Sequence, residues 1–140
     1  MLKVILDTNF LFIPFQFNVD IFIEIDRIIE EKYELFILKE TLDELDFLIE
    51  KEKGKNKQNA VLAKKLAMSK NIPVLDVSKQ KDLYITDISK NNKVDDLLVA
   101  LSDKDHLVAT LDLELKKRIR KKGSKILYLR SKDHLEIGGL

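Results

Sequence analysis

Five acidic side chains from separated parts of the chain stand where a fold could gather them: Asp7, Glu44, Asp95, Asp96 and Asp112. Asp7 closes the apolar run Val4-Ile5-Leu6, and Asp112 closes Leu107-Val108-Ala109-Thr110-Leu111 in the same way. Short apolar runs with β-branched members suit strands buried on both faces, and a carboxylate followed by small polar residues is a poor way to continue one. In an open parallel sheet, ligands bind in the crevice beyond the carboxyl ends of the strands, and the helices that follow those strands begin there. Glu44 and the Asp95–Asp96 pair, read as lying at helix starts, approach the same edge. Carboxylates a few ångströms apart raise one another's pKa and destabilise the fold. A divalent cation removes that conflict, and a pair of cations can hold both the attacking and the leaving oxygen of a phosphodiester. Each acid also has an ordinary reading: Asp7, Asp112 and one of Asp95 and Asp96 as helix caps, Glu44 as a first-turn partner of the helix dipole. Their convergence is what points to chemistry.

Other chemistries are excluded by composition. The chain has no Cys, which removes disulfides, thiolate metal sites and cysteine nucleophiles. Its two His, His106 and His134, cannot build a histidine-rich metal site. A metal would therefore be bound by oxygen, which points to Mg²⁺ or Mn²⁺. Ser102, Ser124 and Ser131 have no recognisable base nearby in sequence.

The elements that must position the acids follow from apolar spacing. The 140 residues, 45% hydrophobic and 35% charged, suit one globular domain over residues 1–140. After the first strand, Phe10 to Phe15 is apolar and leads into an irregular segment around Pro14 and Asn18. Ile21, Ile25, Ile28 and Ile29 give a helix started near Asp20, and Leu35–Leu38 a second strand. A second helix runs from about Glu40 to Glu52, with Leu42, Leu45, Phe47, Leu48 and Ile49 as its apolar face. Lys51 to Gln58, with a Gly and no apolar residue, reads as a solvated turn, and Ala60–Lys70 as a third helix. Val74–Val77 is a short strand, Lys79–Lys93 is polar and unassigned, and Val94-Asp95-Asp96 opens a further helix. Leu107–Thr110 is a strand, Leu113–Lys122 a basic helix stopped by Gly123, and Ile126–Leu129 the last clear strand. Strands alternating with helices imply crossover units, hence an α/β fold of three layers, α/β/α, around a mainly parallel sheet.

Net charge is only +1, yet Lys116, Lys117, Arg118, Arg120, Lys121 and Lys122 form one run directly after Asp112. Such residues give salt-sensitive, sequence-independent contacts to nucleic-acid phosphates. No aromatic residue is interleaved with the run, so base stacking is not indicated there. The chain opens directly on a strand and has no apolar run of bilayer length, so a cytoplasmic protein with no membrane partner is expected.

These residues together resemble the PIN domains. VILDTN at Val4–Asn9 looks like that family's opening motif, and TLDELDFL at Thr41–Leu48 like its second, with the acid at Glu44. VDDLLVAL at Val94–Leu101 looks like the third and VATLDLELKKRIRKKG at Val108–Gly123 like the fourth. The last stretch is similar to the branch found in small-subunit ribosomal RNA processing and its archaeal relatives, proteins often labelled VapC-like. The resemblance implies a Mg²⁺- or Mn²⁺-dependent endoribonuclease acting on single-stranded RNA and leaving 5′-phosphate and 3′-hydroxyl ends. It implies Asp7, Asp112 and either Asp95 or Asp96 as metal ligands, with Asp96 aligned before the Leu-Leu-Val-Ala run. Glu44 would complete the shell or steer a water. Glu114 or Asp103 could join an outer shell, with Asn9 and Thr110 as polar supports.

The expected partner is RNA, held by residues 116–125, with an antitoxin or a pre-ribosome as a further partner. A homodimer is expected too, for which Phe10–Phe17 and Ile21–Ile29 are a candidate face, although a core role also fits them. A non-catalytic RNA-binding or ribosome-assembly module would share the fold. An Asp-based phosphotransfer domain also places Asp at strand ends, but the dehalogenase type needs a second Asp where Asn9 stands.

Overall fold

The computed structural model describes residues 1–77 and 93–139. The element order is β1 (Leu2–Leu6), a 3-10 turn at Asn9–Phe12, α1 (Ile13–Gln16), α2 (Ile21–Ile28), β2 (Tyr33–Leu38), α3 (Lys39–Lys51), α4 (Gly54–Ser69) and β3 (Val74–Leu75). It continues with α5 (Lys93–Leu101), β4 (His106–Ala109), α6 (Leu113–Lys121), β5 (Ile126–Arg130) and β6 (His134–Gly138). The Lys79–Lys93 stretch left unassigned from sequence lies outside the described residues up to residue 92.

The strands form one sheet in the order β3-β2-β1-β4-β5-β6. All neighbours are parallel except β5 and β6. Alternation along the central strands divides the core into two layers. Val4 and Leu6 of β1, Leu107 and Ala109 of β4 and Leu127 of β5 pack with Phe10, Ile21, Ile25, Leu45, Ala60 and Ala63 on one face. Ile5, Val108 and Ile126 pack with Leu97, Leu98, Leu101, Leu115 and Ile119 on the other. This is the expected three-layer α/β/α arrangement. The connection from β1 goes to β2 on one side, whereas β4 lies on the other side, so the strand order reverses between β1 and β4. A crevice at the carboxyl ends of strands forms at such a reversal.

Four elements differ from expectation. Lys51–Gln58 is not a solvated turn: only Glu52 and Lys53 separate α3 from α4, which begins at Gly54 with φ +63. The helix expected over Ala60–Lys70 thus starts six residues earlier, and its buried face is Asn59, Ala60, Ala63 and Ala67. Phe10–Gln16 is helical, as the 3-10 turn and α1, rather than irregular. β6 was not anticipated, because the β5–β6 turn uses Ser131 and Lys132 in left-handed backbone (φ 54 and 60) where Gly or Asn would have signalled it. The candidate pairing face is largely core: Phe10, Leu11, Ile13, Ile21 and Ile25 are fully buried.

The sheet's ends are closed by local means. Edge strand β3 has two residues. On edge strand β6, the Leu135 N–H donates to Glu24 Oε1 at 3.0 Å and its carbonyl accepts from Arg27 Nη2 at 3.1 Å. Glu24 and Arg27 also pair with each other on α2. Where α5 ends, Lys122 donates its ammonium to the carbonyls of Val99, Ala100 and Ser102 at 2.8, 3.1 and 2.6 Å. A cation at the negative end of a helix, satisfying carbonyls left without N–H partners, stabilises that end. Replacing Lys122 by Met should lower the unfolding free energy by about 1 kcal/mol and the melting temperature by roughly 3 °C in a calorimetric scan.

Candidate metal and nucleic-acid site

Three consecutive residues beyond β1 each reach a different part of the chain. The Asp7 carboxylate accepts from the Thr110 hydroxyl (Oγ1 to Oδ2, 2.7 Å) and from the Thr8 amide (N to Oδ1, 2.8 Å). The Thr8 hydroxyl donates to Glu44 Oε2 at 2.8 Å. Asn9 Oδ1 accepts from the Leu111 amide at 3.0 Å, fixing the turn between β4 and Asp112. β1 and β4 lie in register with Leu6 opposite Ala109, so the residues just past each strand are already side by side. The Asp7 amide completes that junction by donating to the Ala109 carbonyl at 2.9 Å.

Asp7 is 5% exposed, and Thr8 and Thr110 are buried beside it. Burial pushes its carboxyl up to about 6, with the Thr110 and Thr8 hydrogen bonds opposing the rise and the negative charges of Asp95 and Glu44 adding to it. Asp7 is therefore not a helix cap: its acceptors serve the neighbouring strand and its own turn. Glu44 is also not in the first turn of its helix, because α3 starts at Lys39 and the acid there is Glu40. Asp112 does cap α6, accepting from the amides of Glu114 and Leu115 through Oδ1 (2.9 and 3.2 Å), which leaves Oδ2 outside the cap.

The adjacent acids of α5 divide. α5 starts at Lys93, so both lie in its first turn and neither is its cap. Asp95 is raised by desolvation, then by the charge of Asp112, and further by Glu44 and Asp96, with Arg118 opposing. It thus shares one field with Asp7, Glu44 and Asp112. Asp96, 6% exposed, accepts from Arg118 Nη2 at 2.8 Å and ties α5 to α6. The motif alignment favoured Asp96; the charges of Asp112 and Glu44 act on Asp95, whereas Asp96 is engaged with Arg118. Of the outer-shell candidates, Asp103 lies at the opposite end of β4, paired with His106 at 2.8 Å, and Glu114 is exposed beside Lys117 at 3.5 Å.

The basic run is only partly free. Arg118 and Lys122 are committed as described. Lys116 lies 5.3 Å over the Tyr128 ring, and burial followed by the charge of Arg120 lowers its pKa. Arg120 and Lys121 are exposed and, among the described residues, have no ion-pair partner. Sequence reasoning identified Asn9 and Thr110 as supports but missed Thr8, whose signal was only its place after Asp7.

Among the described residues, no three His, Cys, Asp or Glu side chains already close on a common point. The donor chemistry still fits a hard divalent cation: every contributing atom is a carboxylate oxygen, and burial, with the neighbouring acids adding to it, raises Asp7 and Asp95. Asp7, Glu44, Asp95 and Asp112 are the side chains able to hold it.

A sheet with this strand order and acids at its reversal point defines a class. The chain belongs to the PIN-like domain family, whose profile matches residues 4–132. It is similar to ribonuclease VapC4 of Methanocaldococcus jannaschii, with 29% identity over 100% of this chain and 99% of the relative. Among solved structures it is similar to the PIN domain endonuclease Utp24, with a TM-score of 0.68 and 26% identity over 99% of this chain and 92% of that one. A domain of a functionally unknown M. jannaschii protein shares the fold at 14% identity, with a TM-score of 0.61 over 94% of this chain and 93% of that one.

The Asp7 environment has a consequence for stability. Because folding raises this pKa from 3.8 to about 6, the folded chain holds a proton there that the unfolded chain has released. Its favourable contribution is present in acid and is lost as pH rises across that interval. In chelator-containing buffer at pH 7.5, Asp7→Asn should be more stable than wild type by about 1–2 kcal/mol. The gap should shrink towards pH 4 in parallel urea titrations.

Proposed function

We propose that this chain is a metal-dependent endoribonuclease cleaving single-stranded RNA. The observation that carries this reading is the meeting of Asp7, Glu44, Asp95 and Asp112 in one electrostatic field at the strand-order reversal. The relatedness to a ribonuclease and to a PIN domain endonuclease supports it.

Asp7, Asp95 and Asp112 would hold Mg²⁺ or Mn²⁺, with Glu44 completing the set. The bound cation supplies a water of lowered pKa and neutralises charge on the phosphodiester. The chain's own groups prepare that chemistry. Thr110 and the Thr8 amide fix both oxygens of Asp7, so its carboxylate needs no reorganisation to act as a ligand. The Thr8 hydroxyl aims Glu44 at the same edge. Asn9 holds the backbone before Asp112, whose Oδ1 is anchored by the α6 amides, leaving Oδ2 as the oxygen that would ligate. Arg120 and Lys121, with Lys116 and Lys117 on the same helix, would bind the RNA backbone through its phosphates. The salt bridge of Lys117 to Glu114 is exposed and competes little. The cellular setting would be that of one of the two relatives, with either an antitoxin or a pre-ribosome as partner.

The deciding experiment follows cleavage of an end-labelled single-stranded RNA in Mn²⁺ and in chelator. Wild type should cut only with the metal. Asp7→Asn and Asp95→Asn should each lose at least about 100-fold in rate while remaining folded by circular dichroism. Asp96→Asn should instead lose stability through its freed Arg118 partner and retain more activity than Asp95→Asn. Wild type that binds RNA but never cuts it would favour the non-catalytic assembly module. Equal activity of Asp95→Asn and wild type would remove Asp95 from the ligand set.

A further inference from the structure

Among the described residues, Phe47 is the one exposed aromatic side chain. Phe10 is fully buried, and Phe12, Phe15, Phe17, Phe22 and Tyr33 pack against the same core layer. Tyr128 packs on the other layer. Phe47 is 58% exposed. It was expected on the apolar face of its helix, yet Leu42, Leu45, Leu48 and Ile49 of α3 make that face without it.

Its position on α3 is informative. Phe47 follows Glu44 by three residues, a spacing that sets side chains about 5–6 Å apart at Cβ. Long side chains on a helix lean towards its N-terminus, which directs Phe47 towards the turn that carries Asp43 and Glu44. That turn is fixed to the metal-candidate acids by the Thr8–Glu44 hydrogen bond of 2.8 Å. Across the acid cluster, Leu113 adjoins Asp112 and is 68% exposed. Beyond Phe47, Lys51, Lys53, Lys55 and Lys57 are all exposed at the α3–α4 junction, as are Arg120 and Lys121 on α6. An exposed π-face beside the acids, with cations on either side, matches the way proteins hold unpaired strands, by stacking bases and tracking phosphates.

We propose that Phe47 stacks on a nucleobase of the single-stranded RNA next to the phosphate held at the acids. This rests on the nuclease reading and makes the site selective for strands with unstacked bases over duplex. Because the ring offers no hydrogen bonds, the selectivity is for strandedness and not for base identity.

The test is binding in chelator, which keeps the RNA intact, with two probes: a single-stranded oligouridylate and a sugar-phosphate oligomer of equal length without bases. Phe47→Ala should weaken oligouridylate binding about 5- to 100-fold and leave the baseless oligomer unchanged. Phe47→Leu, which keeps the apolar surface without the π-face, should lose nearly as much. The chain contains no Trp, so Phe47→Trp adds a single reporter. Its fluorescence should be quenched by oligouridylate and not by the baseless oligomer. Unchanged oligouridylate affinity in Phe47→Ala would overturn the stacking role while leaving the nuclease reading standing. So would equal loss for both probes, or a change only in the mass of the protein by sedimentation. Failure of wild type to bind either probe would overturn the stacking role, and the metal-dependent cleavage assay decides the nuclease reading separately.

Discussion

A carboxylate buried in the field of two others is costly, and among the described residues Asp7 is held there by hydrogen bonds rather than by a fixed counter-charge. Two donors, a hydroxyl from the end of β4 and the next amide of its own chain, keep both oxygens oriented. A lysine in the same place would have stabilised the ionised form more strongly and occupied the position where a cation belongs. The rest of the edge follows from that choice. The triplet Asp7-Thr8-Asn9 bonds in turn to the β4 end, to α3 and to the turn before α6. Asp7, Glu44 and Asp112 are thereby fixed by strand register and short bonds.

This arrangement trades stability for chemistry at a defined place. The burial that raises the Asp7 pKa destabilises the ionised form near neutral pH, and neighbouring charges deepen the penalty. Sites of this kind are where folds depart from local optimality. The two core layers, assembled from fully buried side chains of β1, β4 and β5, provide the surplus that makes the departure tolerable.

The parallel strands, the crossover units and the acid-bearing turns were readable because each rests on a local pattern. Val4-Ile5-Leu6-Asp7 and Val108-Ala109-Thr110 show buried strands ending in polar turns, and both lie at adjacent carboxyl ends. Asp20 and Asp112 cap the helices they precede, as their types suggest. What stayed hidden depended on partners distant in sequence. Nothing in Val94-Asp95-Asp96 shows that consecutive carboxylates turn to different neighbours, because the choice depends on where Arg118 stands, a helix away. Lys122 resembles its basic neighbours until the end of α5 is found beneath it. The first turns of α4, Gly54 to Asn59, escaped notice because they carry no apolar residue, whereas the rest of the helix was expected. β6 escaped because its turn has neither Gly nor Asn.

The Glu24–Arg27 pair on α2 has a consequence for assembly. By occupying the outward N–H and carbonyl of Leu135, it blocks a backbone rung that another strand would need. With β3 reduced to two residues at the opposite end, neither border offers a long template for sheet growth. Contacts with other macromolecules are thereby directed to helices and loops, whose side chains can discriminate among partners in a way that a bare backbone ladder cannot. Even crowded at high concentration, such a chain resists fibre formation without needing a large net charge.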